Sequence, residues 1–386
     1  MFTDITGENR NYNFFELEEL TVSEKGFMNA QEYFDIYCLD VGLGNATMMV
    51  TPSGKVLLYD TGGRTTTDRI LKFAQEKGIK GIDYLIVSHF EEDHMGAAAG
   101  IATALPIKNF VDKGKSFVYG HDNDWWMARR HPFLHDDEIK FVGQDDDRRY
   151  DEYCGIRAKG NHIVVKCGDK VDIDSELICD VVCANGEIIR EPMLGNPKAG
   201  EPAAPGVPAP DKRMEDDTED GQSMGMIFKY GEFRLANLAD LTWNLSGELF
   251  YPVNLIGEVD ACIATHHTQS IPRWLGEYFY CLSGCSEAEA VGLNPRAVVV
   301  SLGAYGHRVG DALGIEAMRK APRLDGLWQT EYFVAGGQQN SNSPEEYCAN
   351  IGGLVTDTPY IHIRAKKDGS FTVTNSRNGF TKVYEK

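Results

Sequence analysis

Ser88-His89-Phe90-Glu91-Glu92-Asp93-His94 is the stretch on which the reading of this chain turns. Two imidazoles and two carboxylates, His89, Glu91, Asp93 and His94, fall within six residues. They follow Ile82 to Val87, an apolar run with the length and β-branched content of a buried strand. Where a backbone leaves a strand and turns into a helix, side chains spaced in this way can converge on one point. Imidazole with carboxylate suits zinc, manganese or iron, and the lack of thiolates argues against a closed structural zinc site.

Upstream of the motif, Phe34 to Leu39, Ala46 to Val50 and Lys55 to Tyr59 read as strands joined at glycine turns, and Asp60-Thr61-Gly62-Gly63 closes this meander. Asp68 to Lys77 has helical periodicity and stops at Gly78. Downstream, Gly96 to Leu105 reads as a helix and Ile107 to Val111 as the next strand. Residues 115–160, with Trp125, Trp126 and Tyr150, read as an insertion or lid rather than core, since long loops are commonly functional. Ile163 to Lys166, Val171 to Ile173 and Leu177 to Cys183 read as short strands, and residues 191–221 as a surface loop.

Ser223 to Tyr230 and Glu232 to Leu238 make a hairpin around Tyr230-Gly231, and Asp240 follows its second strand. Val259 to Ala264 is a buried strand that runs into Thr265-His266-His267. Ala297 to Ser301 is another, followed by a helix over Asp311 to Lys320 and a meander from Tyr360 to Tyr384. Strands, helices and strands in this order predict an α/β fold, a four-layer α+β sandwich with two inner sheets and helices outside. The expected organisation is an N-terminal arm (1–32), a catalytic domain (33–310), and a C-terminal helix and β extension (311–386) packed on it.

The formal net charge is −20 and the pI about 4.9, so the surface repels polyanions and long nucleic acid is not the expected partner. No apolar run is long enough to span a bilayer. The N-terminus lacks a basic stretch followed by an apolar one, so the chain reads as cytoplasmic, or as secreted with its signal already removed. The nine cysteines are scattered with no C-x-x-C pair, and read as small core residues.

Motif by motif, the sequence resembles the metallo-β-lactamase superfamily, most closely its ComEC-like competence-protein branch. Ser-His-Phe-Glu-Glu-Asp-His-Met-Gly at 88–96 resembles the H-x-H-x-D-H signature, with Glu91 in place of the second histidine. Leu39-Asp40-Val41-Gly42-Leu43-Gly44-Asn45-Ala46, Tyr59-Asp60-Thr61-Gly62, Gln222-Ser223, Leu238-Ala239-Asp240-Leu241-Thr242-Trp243 and Thr265-His266-His267 resemble its other motifs in order. The resemblance implies an αββα sandwich holding one or two zinc ions, with manganese or iron as alternatives. It implies His89 and Glu91 at a first metal, Asp93 and His94 at a second, and Asp240 between them. One of His266 and His267 would complete the second site. Strand alternation favours His266 as that ligand, with His267 as a substrate contact. Asp60 would support the motif loop from outside.

The histidine that usually completes the first site is not evident: Lys113 stands near its expected place, and His121, His131, His135 and His162 are the remaining candidates. Thr268 stands where a glycine is usual. Asp93, His267 and His307 are the expected catalytic groups. The expected activity is hydrolysis of a phosphoester on a small molecule. Opening of a lactone or β-lactam is the alternative, and a non-catalytic binding protein with a degraded site is the reading from another class.

Overall fold

The computed structural model describes residues 32–42, 44–117, 148–213, 218–268, 273–275, 278–280, 285–301, 312–332, 342–352 and 358–386. One sheet contains β1 (Tyr33–Leu39), β2 (Thr47–Val50), β3 (Val56–Tyr59), β4 (Ile82–Ile86), β5 (Ile107–Asp112) and β6 (Asn161–Val164) in spatial sequence. The second contains β7 (Leu177–Ala184), β8 (Glu187–Ile188), β9 (Gly225–Tyr230), β10 (Phe233–Asn237) and β11 (Ala261–Ile263). A short ribbon pairs β12 (Arg273–Leu275) with β13 (Tyr278–Tyr280). Then β14 (Ala297–Val300), β15 (Gly326–Glu331) and β16 (Cys348–Asn350) extend the second sheet beside β11. β17 (Tyr360–Lys366), β18 (Phe371–Asn375) and β19 (Thr381–Tyr384) return to the first sheet, where β17 pairs antiparallel with β1.

Alternation along the strands builds the layers. Phe34, Ile36 and Cys38 of β1 face inward and meet Phe228, Leu235 and Trp328 of the other sheet in one buried core. Tyr37 and Leu39, one residue out of phase, face Ile70 and Phe73 of the helix α1 (Thr67–Glu76). The opposite outer layer packs Val182, Ile227 and Cys262 against the helices Trp243–Phe250, Glu287–Leu293 and Ala312–Met318. The result is the αββα sandwich. No helix among the described residues is long and apolar enough to cross a membrane.

β3 to β6 run parallel in the first sheet, as do β10, β11, β14, β15 and β16 in the second. Parallel strands place their C-terminal ends on one edge, where open α/β sheets carry their sites.

Local structure departs from the sequence expectations in four places. Gly96 to Leu105 is not one helix: Glu92–Met95 and Ala98–Ala102 form two short ones. Val171 to Ile173 is no strand, although both its apolar side chains are buried. Residues 148–157 are helical and carry Tyr150 and Tyr153 into the core against Phe90, at ring distances of 4.9 and 5.7 Å. This part of the supposed lid is therefore the packed crossover between β5 and β6; Trp125 and Trp126 lie outside the described residues. Finally, the 191–221 loop ends in buried Glu219 and Asp220 rather than at the surface.

Candidate metal centre

Asp60, directly after β3, is fully buried and adopts a left-handed φ of 59°. Its Oδ1 accepts the Ser88 backbone N–H at 2.8 Å. Its Oδ2 accepts the Ser88 hydroxyl at 2.9 Å and His94 Nδ1–H at 2.8 Å. The Ser88 hydroxyl spends its one proton on Asp60, so at 3.0 Å it accepts from His89 Nδ1–H. His267 Nδ1–H donates to the Ser301 carbonyl at the end of β14, at 3.1 Å. All three imidazoles thus use Nδ1 outward and keep the Nε2 lone pair for the interior.

Those Nε2 atoms of His89, His94 and His267 are buried and have no hydrogen-bond partner among the described residues, and neither has Oδ1 of Asp220. Buried polar atoms are rarely left so, and four around one point need a common explanation. Ligand-type atoms fall into overlapping sets, each within 4.8 Å: His89, Glu91 and Asp220; Asp93, His94 and His267; His89, His94 and Asp240; Asp220, Asp240 and His266. Asp240 Oδ2 is central, 3.2 Å from His94 Nε2, 3.4 Å from His267 Nε2 and 3.5 Å from His266 Nε2.

The electrostatics agree with a missing positive charge. Burial pushes the Glu91 carboxyl well above its ordinary range, and the charges of Asp220, Asp93 and Asp240 push it further. Burial would lower His94, yet Asp240, Asp60 and Asp93 outweigh it and hold the imidazole well above its usual value. His267 is raised in the same way, chiefly by Asp240. Burial would raise the Asp240 carboxyl, yet His94, His267 and His266 outweigh it and hold Asp240 well below its ordinary range, so acids and imidazoles are strongly coupled around one point.

His89, Glu91, Asp93 and His94 enter the centre, while Phe90 and Glu92 are engaged outside it. Phe90 packs into the outer core, and Glu92 Oε1 accepts the Arg64 backbone N–H at 2.9 Å and pairs with Arg149 at 2.7 Å. Gly44 lies so close that a Cβ there would meet the Asp93 carbonyl oxygen at 1.9 Å.

Strand alternation misplaces the histidine pair. His266, His267 and Thr268 all have left-handed backbone, with φ of 47°, 52° and 62°. Beyond the strand end the chain coils, so both imidazoles turn inward, and it is His267 that joins Asp93 and His94. Each such residue costs about 1–3 kcal/mol, and such strain clusters at functional sites. A glycine would relieve it at 268.

Asp220 was not foreseen. It approaches His89 Nε2 at 3.4 Å, from a short turn (Asp220–Gln222) just before β9. Its signal is its place two residues before Gln222-Ser223. Lys113 does not enter the centre: its Nζ is buried and paired with Glu219 Oε2 at 2.8 Å. His162 donates to Asp112 on β5, away from the centre. His121, His131, His135 and His307 lie outside the described residues. Six of the eight described cysteines are buried, and none of the ligand-type groupings includes one.

Residues 39–162 match the family model for the metallo-beta-lactamase superfamily. These residues belong to that superfamily. Recombination protein 2 of Haemophilus influenzae is 38% identical over 101 residues and supports the competence-protein branch. That match covers 22% of this chain and only 13% of the curated relative. Among solved structures, the metallo-beta-lactamase fold protein YhfI from Bacillus subtilis is 12% identical with a TM-score of 0.36, covering 77% of this chain and 95% of that one. CmlA, a diiron beta-hydroxylase from Streptomyces venezuelae, is 15% identical with a TM-score of 0.37, covering 76% of this chain and 48% of that one.

Proposed function

We propose that the chain is a metal-dependent hydrolase acting on a phosphoester bond of a small molecule. The observation that carries the metal dependence is the set of four buried atoms without a hydrogen-bond partner among the described residues, Nε2 of His89, His94 and His267 and Oδ1 of Asp220, around Asp240. In this reading His89, Glu91 and Asp220 hold one ion, Asp93, His94 and His267 a second, and Asp240 lies between them. Asp220 supplies the donor that no histidine supplies. Glu91, Asp93, Asp220 and Asp240 give four negative charges, which two divalent ions neutralise.

When bound, such ions supply Lewis acidity toward a phosphoryl oxygen and make hydroxide available near neutral pH. The chain's own contribution is orientation. Asp60, Ser88 and the Ser301 carbonyl fix the three imidazoles in one tautomer. Asp93 has 19% of its side chain exposed, more than Asp220 or Asp240, and faces His267 at 3.8 Å. It is placed to hold a proton at the mouth of the centre. The phosphoester preference rests on the competence-protein resemblance, and the net charge of −20 favours a small substrate over duplex DNA.

The test is metal analysis of the purified protein with a panel of nitrophenyl phosphodiesters, phosphotriesters, lactones and nitrocefin. Bound transition metal and phosphodiester turnover lost in His89→Ala and Asp240→Ala are expected. Turnover of a lactone or nitrocefin alone would transfer the reading to acyl hydrolysis, and absence of metal would end it.

A further inference from the structure

Behind the histidine pair sits a buried carboxylate that the proposed chemistry does not use. Glu289, on the helix Glu287–Leu293, is fully buried. Its Oε1 accepts the Thr265 hydroxyl at 2.6 Å and its Oε2 accepts the Ser246 hydroxyl at 2.5 Å. Among the described residues no cation pairs with it; burial raises its pKa and only these two hydroxyls oppose the rise. A buried carboxylate without a counter-ion is costly to keep, so its placement calls for a reason.

The two hydroxyls identify what it joins. Thr265 opens the left-handed turn that carries His266, His267 and Thr268. Ser246 lies on the helix Trp243–Phe250, which begins three residues after Asp240. Glu289 also begins its own helix in an unusual way. Ser286-Glu287-Ala288-Glu289 has the sequence of a capping box, and its first half forms, with the Glu289 N–H donating to Ser286 Oγ at 3.1 Å. In a capping box the glutamate reaches back to the cap residue. Here both carboxylate oxygens turn instead to Thr265 and Ser246.

A turn of three left-handed, non-glycine residues persists only if its surroundings over-determine it. Fastenings of the turn among the described residues include the His266 N–H to the Ala239 carbonyl at 2.9 Å, His267 Nδ1–H to the Ser301 carbonyl, and Thr265 to Glu289. Glu289 is the one that ties the turn to the helix following Asp240. We infer that Glu289 is a positioning residue of the metal centre, holding His267 and Asp240 in mutual register through Thr265 and Ser246. This inference rests on the metal-centre reading above.

The test uses the metal-free full chain, titrated with Co2+ and followed by visible absorption, with thermal melting of the metal-free protein alongside. Thr265→Val removes the hydroxyl with little change of shape, and Thr265→Ser keeps it. Thr265→Val and Glu289→Gln are expected to weaken the Co2+ site containing His267 by about 10- to 100-fold, the usual effect of losing an outer partner. Its absorption bands should shift in Thr265→Val, whose metal-free form should still melt cooperatively though at a lower temperature, and Thr265→Ser should restore affinity, bands and melting temperature. Wild-type affinity and spectrum in Thr265→Val would overturn the inference. Failure of the wild type to bind Co2+ at all would overturn it together with the metal-centre reading, and is distinguishable for that reason.

Discussion

The Asp60 carboxylate accepts a hydrogen bond from His94 Nδ1–H at 2.8 Å, between two side chains with no solvent exposure. Through the Ser88 hydroxyl the same carboxylate also orients His89. One acid therefore sets the tautomer of two imidazoles. Asp60→Asn, which offers an N–H where an acceptor is needed, should lower metal affinity by about 10- to 100-fold. Competition against a chromophoric chelator measures this, and unchanged affinity would remove Asp60 from the account.

Asp220 is expected to be worth one ion. Asp220→Ala should lower the metal content by one ion per chain, and Asp220→His should recover it, because imidazole suits the same metals. Inductively coupled plasma mass spectrometry on protein of known concentration reads the stoichiometry. Full occupancy in Asp220→Ala would return the search to the histidines at 121, 131 and 135.

Lys113 and Glu219 form a buried ion pair at 2.8 Å, and Glu219 Oε2 also accepts the Phe90 backbone N–H at 3.3 Å. Phe90 separates His89 from Glu91, and Glu219 adjoins Asp220, so the pair clamps two ligand-bearing segments together. Lys113→Met leaves an uncompensated buried carboxylate and should cost about 3–5 kcal/mol. Urea denaturation of the metal-free protein gives the figure; a loss under about 1 kcal/mol would mean the pair adds no more than an exposed one.

Acid stability should depend on Asp35. Burial raises its pKa, but hydrogen bonds and charge from His362 and Arg364 outweigh this and leave it below the ordinary value. A carboxyl depressed in the folded state adds stability above its unfolded pKa, and that stability is lost as pH falls through the folded one. His362 is itself lowered, first by burial, so its proton also binds the unfolded chain more readily. The two losses should begin near pH ~6.5 for the histidine and ~3.9 for the aspartate. Denaturation midpoints measured from neutral to strongly acidic pH should show the lower step in the wild type and not in Asp35→Asn. An identical acid limb in both would refute the assignment.

Much of the fold was legible because its signals are local. Phe34 to Leu39 shows its strand in apolar content and turn boundaries, and α1 shows its period and its glycine stop. The helix at 148–157 was hidden because Tyr150 and Tyr153 stand among charged residues, and only Phe90 and the neighbouring strands explain their burial. The Glu287–Leu293 helix and β15 lack a local signal for a similar reason: each packs on the layer it meets.

The sequence by itself determined that imidazoles and carboxylates would stand at successive strand ends, since strand, turn and residue type are written in adjacent positions. It could not say which atoms would meet. That His267 rather than His266 joins Asp93 and His94 depends on a left-handed turn that no residue preference announces. That Asp220 closes on His89, while Lys113 turns away to Glu219, depends on β9 being laid beside β10 and across from β4. Convergence of this kind is a property of packed sheets, because only long-range pairing brings side chains from separate segments within reach of one ion.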